Sequence, residues 1–207
     1  MNGGREFRLG VLGSGKGSNF AAIADACIAG EVPALVGVVL SDVAEAGILE
    51  NARQRGIPAR HIPPGKFRTK LDEESERAYV EALHSSSVDL IVLAGFMRVL
   101  KGDFLRTFEG RIVNIHPSLL PAFPGAHAVA DALAYGVAVT GCTVHLVDAG
   151  VDTGPIVAQE AVSVEPGEDV DALHERIKVV ERRLLVDVIA LLTRQGYTVH
   201  GRKVSIP

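Results

Sequence analysis

Short apolar blocks alternate along this chain with stretches of helical spacing. Arg8–Leu12 reads as a buried strand that runs directly into the turn Gly13–Gly17 (GSGKG). From Asn19 to Ile28, Phe20, Ile23 and Cys27 recur on one face of a helix. Ala34–Leu40 is a second apolar strand, Ala44–Arg55 a helix stopped by Gly56, and Ile57–Ile62 a short strand. This β-α-β-α-β order predicts a parallel sheet with crossover helices.

A polar loop, Pro63–Leu71, carries Lys66, Arg68 and Lys70, and a helix is predicted over Asp72–His84. Val88–Ala94 (VDLIVLA) is the most apolar strand and is expected at the centre of the sheet. Arg111–Ile115 forms another strand, cut off by Pro117. The stretch Pro117–His127 holds three prolines and cannot be regular structure; its place after a strand end favours an ordered, functional loop. Beyond it come a short helix, Val129–Tyr135, and two strands, Thr140–Val147 and Ile156–Val164, joined by a turn at Asp148–Gly154. A long amphipathic helix spans Asp169–Arg194, and Tyr197–Ile206 alternates like a small hairpin. No repeat, low-complexity tract or linker interrupts the pattern. The expectation is one domain over residues 1–207, with its core in 8–195 and a tail at 196–207.

Composition narrows the function classes. The 207 residues are 47% hydrophobic and 22% charged, ordinary for a globular enzyme. Only 5% are aromatic, with no Trp, and the formal charge is -4 with no basic run, which argues against a nucleic-acid surface. Cys27 and Cys142 stand far apart, so a reduced, cytoplasmic protein with both thiols buried is expected. Met1–Arg8 lacks the apolar core of a signal peptide, and no apolar run reaches membrane-spanning length.

Two sites carry candidate chemistry. A strand, a glycine turn and a helix present free backbone N–H groups to an anion. Two phosphate-loop patterns nearly fit and both fail. A nucleoside-triphosphate loop needs a hydroxyl residue where Gly17 stands, and a dinucleotide fingerprint needs glycine where Ser18 stands. What remains is an anion site with Gly15, Gly17, Ser18 and Asn19 as donors, or a tight turn in which Ser18 only caps the helix. The second site is Asn114–x–His116. Residues two apart on a strand share a face, and Pro117 puts the pair at the rim. An amide donor beside an imidazole suits a tetrahedral oxyanion, and with no serine or cysteine nucleophile evident the nucleophile would come from the substrate. His116 could equally be a satisfied polar residue at a strand end. The turn Asp148–Gly154 is either a plain connection or a device that brings Asp152 onto His116. It lacks the acidic spacing of a calcium loop, and no histidine and cysteine cluster suggests a metal.

The segments GSGKGSN at 13–19, AGFMRVL at 94–100, NIHPSLLPAFPGAH at 114–127 and TGCTVHLVDAGVDTGPIV at 140–157 together resemble the phosphoribosylglycinamide formyltransferases, folate-dependent enzymes of purine synthesis. The resemblance covers nearly the whole chain. It implies an α/β, Rossmann-like, mostly parallel sheet with helices on both faces. It also implies 10-formyltetrahydrofolate as one-carbon co-substrate, glycinamide ribonucleotide as acceptor, and no metal. Carried over by position, Asn114, His116 and Asp152 match the catalytic trio: His116 as proton donor, Asn114 on the oxyanion, Asp152 raising the pKa of the histidine. Met97, Arg98, Val99 and Leu100 match the stretch that holds the pterin, chiefly through backbone groups, and Asp148 lines the same pocket. Without the resemblance, Met97 and Leu100 read as core. Gly17, Ser18 and Asn19 match the phosphate site, and Glu181 the ribose site.

The chain departs from the family pattern at Lys16, at Lys70 (with Arg68 a competitor for the folate contact) and at Lys178. Two relatives share the Asn–x–His core. Methionyl-tRNA formyltransferases normally add a C-terminal domain and a basic surface, and formyltetrahydrofolate hydrolases an N-terminal regulatory domain; neither is expected here. A non-catalytic nucleotide sensor is the reading from another class. The partners expected are small molecules, with no nucleic acid or membrane, for a monomer or homodimer.

Overall fold

The structure is a computed structural model and describes residues 5–207. Met1–Gly4, part of the segment read above for a signal peptide, lie outside the described residues. The chain packs as two compact units, one running to Val113 and the other spanning Asn114–Pro207.

The first unit contains β1 (Arg8–Leu12), α1 (Ser18–Ile28), β2 (Leu35–Ser41), α2 (Gly47–Gln54), β3 (Ala59–His61), α3 (Glu73–Ser85), β4 (Leu90–Leu93) and α4 (Gly102–Thr107). Its strands lie in the order β3-β2-β1-β4, every pair parallel. β4 is buried at all four positions, as a strand covered on both faces must be. The core gathers Leu9, Leu12, Phe20, Ile23, Ile48, Leu49, Tyr79 and Leu83, all fully buried. Gly17 opens α1 with φ 82, and a Cβ there would fall 2.7 Å from the Cα of Ile48. Only glycine meets both demands, so the turn can pass tightly beneath α2. Asp72 caps α3, its carboxylate accepting from the amides of Ser75 and Lys66.

The second unit holds most of β5 (Ile112–His116), then α5 (Ala128–Tyr135), β6 (Val139–Leu146), β7 (Ile156–Ser163), α6 (Val170–Gln195), β8 (Thr198–His200) and β9 (Lys203–Ser205). Its strand order is β5-β6-β7-β9-β8; β6 and β7 are antiparallel, β7 and β9 parallel, β8 and β9 antiparallel. The expected α/β fold with mostly parallel pairing is what forms.

Three local features differ from the pattern or extend it. Helix α4 has no counterpart in the apolar pattern: it has six residues and buries only Phe104, too few for a period to register. Its first turn is satisfied from outside, the Glu76 carboxylate accepting from the Phe104 amide at 2.6 Å. On α1 the buried face is Phe20, Ile23, Ala24 and Ala26, while Cys27 is only half-buried. The C-terminal tail does form a hairpin, and β9 also aligns with β7 through Lys203 and Ile156, extending the sheet.

Phe104 is fully buried and tilts against Phe108 with ring centroids 5.2 Å apart. Phe104→Ala is expected to cost about 3–5 kcal/mol, read as a lower urea midpoint with an unchanged slope.

Candidate active site

Strand β5 ends in Asn114–Ile115–His116, and the period of two puts Asn114 and His116 on one face. His116 is almost wholly buried and lies between two acceptors. Its Nε2 is 2.9 Å from the carbonyl oxygen of Phe123, and its Nδ1 is 3.3 Å from Asp152 Oδ2. A carbonyl and a carboxylate both need a donor, so the doubly protonated ring is the form that satisfies both neighbours. The turn does bring Asp152 onto His116.

A second histidine, which the sequence reading did not single out, completes the cluster. His145 on β6 places Nδ1 2.9 Å from the Leu146 carbonyl, which fixes that nitrogen as a donor. In the neutral ring Nε2 is then an acceptor, and it faces Asn114 Nδ2 at 3.1 Å. One amide proton of Asn114 is thereby committed, which sets the plane of the amide and leaves its second N–H for another partner. Asp152 Oδ1 lies farther from the same His145 nitrogen, at 3.6 Å.

Burial by itself would raise the Asp152 carboxyl. The nearby ring of His145, the amide of Gly125 at 2.8 Å and the charge of His116 outweigh that, and its pKa lies below the ordinary 3.8. Asp152 sits in the left-handed region with φ 54, a conformation the turn must impose. Asp148 imposes it in part, its Oδ1 accepting from the Gly150 amide and from Thr153 Oγ1 at 2.6 Å. Gly154 passes so close to β6 that a Cβ would meet the Leu146 carbonyl oxygen at 1.7 Å. Arg202 of the C-terminal hairpin donates to the Thr153 carbonyl at 2.7 Å, one residue beyond Asp152.

The proline-rich loop is ordered by buried hydrogen bonds. Thr143 Oγ1 donates to the Ser118 carbonyl and accepts from the Leu120 amide, while Gln159 donates to the Leu120 carbonyl. These bonds fix the loop that carries Phe123 and Gly125 to the two active side chains. Neither thiol is a candidate nucleophile near neutrality: burial pushes Cys27 up to about 11 and Cys142 up to about 12.

The remaining candidates divide between the units. In the first, Gly17 is the residue before α1, Ser18 and Asn19 form its first turn, and no side chain caps it, so Ser18 has no capping role. Asn19 Oδ1 is buried without a hydrogen-bond partner. Met97 is 67% exposed, which removes it from the core, whereas Leu100 is buried. The Met97 amide is bonded to Ser14 Oγ and the Val99 amide to the Thr69 carbonyl, and Arg98 pairs with Asp42. Lys70 lies 4.2 Å from the centre of the Phe67 ring. In the second unit Glu181 is buried on α6, and Lys178 pairs with Glu175 at 2.7 Å. Among the described residues no group of three or more His, Cys, Asp and Glu side chains is placed to hold a metal ion.

Residues 7–189 match the family model described as formyl transferase. The chain belongs to the formyl transferase family. It is 50% identical over 204 residues to the phosphoribosylglycinamide formyltransferase of Mycobacterium tuberculosis, covering 96% of this chain and 91% of that one. The Bacillus subtilis phosphoribosylglycinamide formyltransferase is 39% identical over 185 residues, covering 89% and 94%. Among solved structures, glycinamide ribonucleotide transformylase 1 from Symbiobacterium toebii superposes with a TM-score of 0.93 at 44% identity, over 100% of this chain and 99% of that one. In this formyl transferase the residues that sequence reasoning missed are His145, Ser14, Asp42 and Thr143. All four are polar and sit in or beside apolar strands, and that was the signal available.

Proposed function

We propose that this formyl transferase moves the formyl group of 10-formyltetrahydrofolate to the amine of glycinamide ribonucleotide. The products are formylglycinamide ribonucleotide and tetrahydrofolate. The observation that carries the reading is the His116 ring between the Asp152 carboxylate and a loop carbonyl, beside the oriented amide of Asn114. The substrate amine attacks the formyl carbon, and the carbonyl oxygen takes up the negative charge of the tetrahedral intermediate. The second N–H of Asn114 and the proton of His116 stabilise that oxygen. Nδ1 is committed to Asp152, so the proton on Nε2, now directed at the Phe123 carbonyl, is the one that turns toward the reacting atoms. Collapse of the intermediate breaks the bond from carbon to folate nitrogen, which takes a proton from His116 as it leaves, while the proton lost by the attacking amine restores His116. Asp152 stays ionised throughout and holds the imidazolium by charge.

The remaining roles belong to the same proposal. The turn at Gly17, Ser18 and Asn19 takes the ribonucleotide phosphate, and Glu181 the ribose. Met97–Leu100, Lys70 and Asp148 bind folate; with two of the Met97–Leu100 amides already bonded, that segment's carbonyls carry much of its recognition. The chain acts in the cytosol as one formyltransferase domain. No helix among the described residues is long and apolar enough to cross a membrane.

Mixing 10-formyltetrahydrofolate with glycinamide ribonucleotide is expected to release tetrahydrofolate, followed by absorbance, only when both are present. Equal release without the ribonucleotide would make the protein a hydrolase. Formylation of charged methionyl-tRNA in place of the ribonucleotide would move it to the other acceptor, and no release at all would leave only a binding protein.

A further inference from the structure

Asp42 follows β2 directly and its side chain is 1% exposed, a buried carboxylate for which the proposed chemistry has no use. One oxygen accepts from Ser14 Oγ at 2.5 Å, the other from Arg98 Nε at 2.7 Å. Ser14 lies in the glycine turn, Arg98 in the Met97–Leu100 segment. A hydroxyl has a single proton, and committing it to Asp42 turns the lone pairs of Ser14 Oγ toward the Met97 amide, which donates to it at 2.9 Å. The Ser14 amide in turn donates to the Gly95 carbonyl at 3.0 Å. Arg98 reaches further, donating through Nη1 to the Arg68 carbonyl, while the Val99 amide bonds the Thr69 carbonyl. One carboxylate therefore sets the position of three backbone pieces: the turn that leads to Gly17–Asn19, the Met97–Leu100 segment and the Pro63–Leu71 loop.

We infer that Asp42 is a positioning residue that couples the phosphate turn to the folate segment, so that neutralising it weakens both co-substrates together. The inference rests on the proposed assignment of those two segments. Asparagine has the same shape but one acceptor end and one donor end. With its oxygen toward Ser14, its NH₂ meets the Arg98 N–H, donor against donor. In the other orientation its NH₂ donates to Ser14 Oγ, and the hydroxyl proton loses its acceptor. Either way one link breaks and a part-buried group loses its partner. None of the groups that touch the reacting atoms is altered.

The test is initial-rate KM for each co-substrate, with kcat, for Asp42→Asn and for Ser14→Ala, normalised to folded enzyme by circular dichroism. Both KM values are expected to rise together, on the order of 10-fold in Asp42→Asn and less in Ser14→Ala, with kcat held within about 3-fold. A purely structural role would lower Tm and the active fraction and leave both KM values alone. A rise in only one KM, or a fall in kcat with both KM values unchanged, overturns the coupling. Should Asp42→Asn fail to fold, Ser14→Ala decides by the same criteria. If the unaltered protein shows no formyl transfer, the proposed function itself fails, and that is seen before any variant is compared.

Discussion

His116→Ala is expected to lower kcat by on the order of 10²–10⁴-fold while the protein stays folded. In the proposed mechanism the ring supplies the acid proton on the strand face it shares with Asn114. His145 is the other imidazole in the cluster, but its Nδ1 donates to the Leu146 carbonyl and its Nε2 is occupied by Asn114. Removing His116 leaves Asp152 with the Gly125 amide, so the carboxylate is not stranded, and the turn keeps its bonds from Asp148. The measurement is the initial rate of tetrahydrofolate release at saturating co-substrates, with circular dichroism as the check on folding. A kcat within a few-fold of the unaltered enzyme would remove His116 from the mechanism.

Asp152→Asn should cost a comparable factor, on the order of 10²–10⁴-fold in kcat, for a different reason. The amide matches the carboxylate in shape and can still accept from Gly125, but it brings no negative charge to the imidazolium of His116. The same variant has a stability signature. The folded-state pKa of Asp152 lies below its ordinary 3.8, so the ionised group contributes stability that is fully present above that value. The contribution is lost as pH falls from 3.8 through the lower folded value. Urea midpoints of the two proteins should therefore differ at neutral pH and draw together in that acid window. A gap that stays constant through the window, or unchanged kcat, would remove the charge of Asp152 from both roles.

Most elements were legible because they are local. The apolar blocks at Arg8–Leu12 and Leu90–Leu93 bury nearly every position, and the long α6 carries its own period and an Asp169 cap. Helix α4 was not legible, since one buried phenylalanine makes no period and the group that satisfies its first turn is Glu76 on another helix. The candidate site divides in the same way. Asn114 and His116 share a face by strand period alone, and the glycine turn at Gly13–Gly17 shows as a strand-to-helix connection. His145 and Asp42 looked like single polar residues in or beside apolar strands, and only their neighbours give them work.

What the sequence determined by itself is therefore the order of the elements other than α4, the rim position of the Asn114–His116 pair, and, through family resemblance, the formyl chemistry. What only the tertiary structure decided is which groups face those side chains. These are Asp152 and the Phe123 carbonyl on the two nitrogens of His116, His145 behind Asn114, and Asp42 between Ser14 and Arg98. The reason is the range of the forces involved. Strand and helix periods arise from each residue and its near neighbours along the chain. The protonation of a buried imidazole and the plane of an amide depend on acceptors brought up from distant segments by strand pairing and turns.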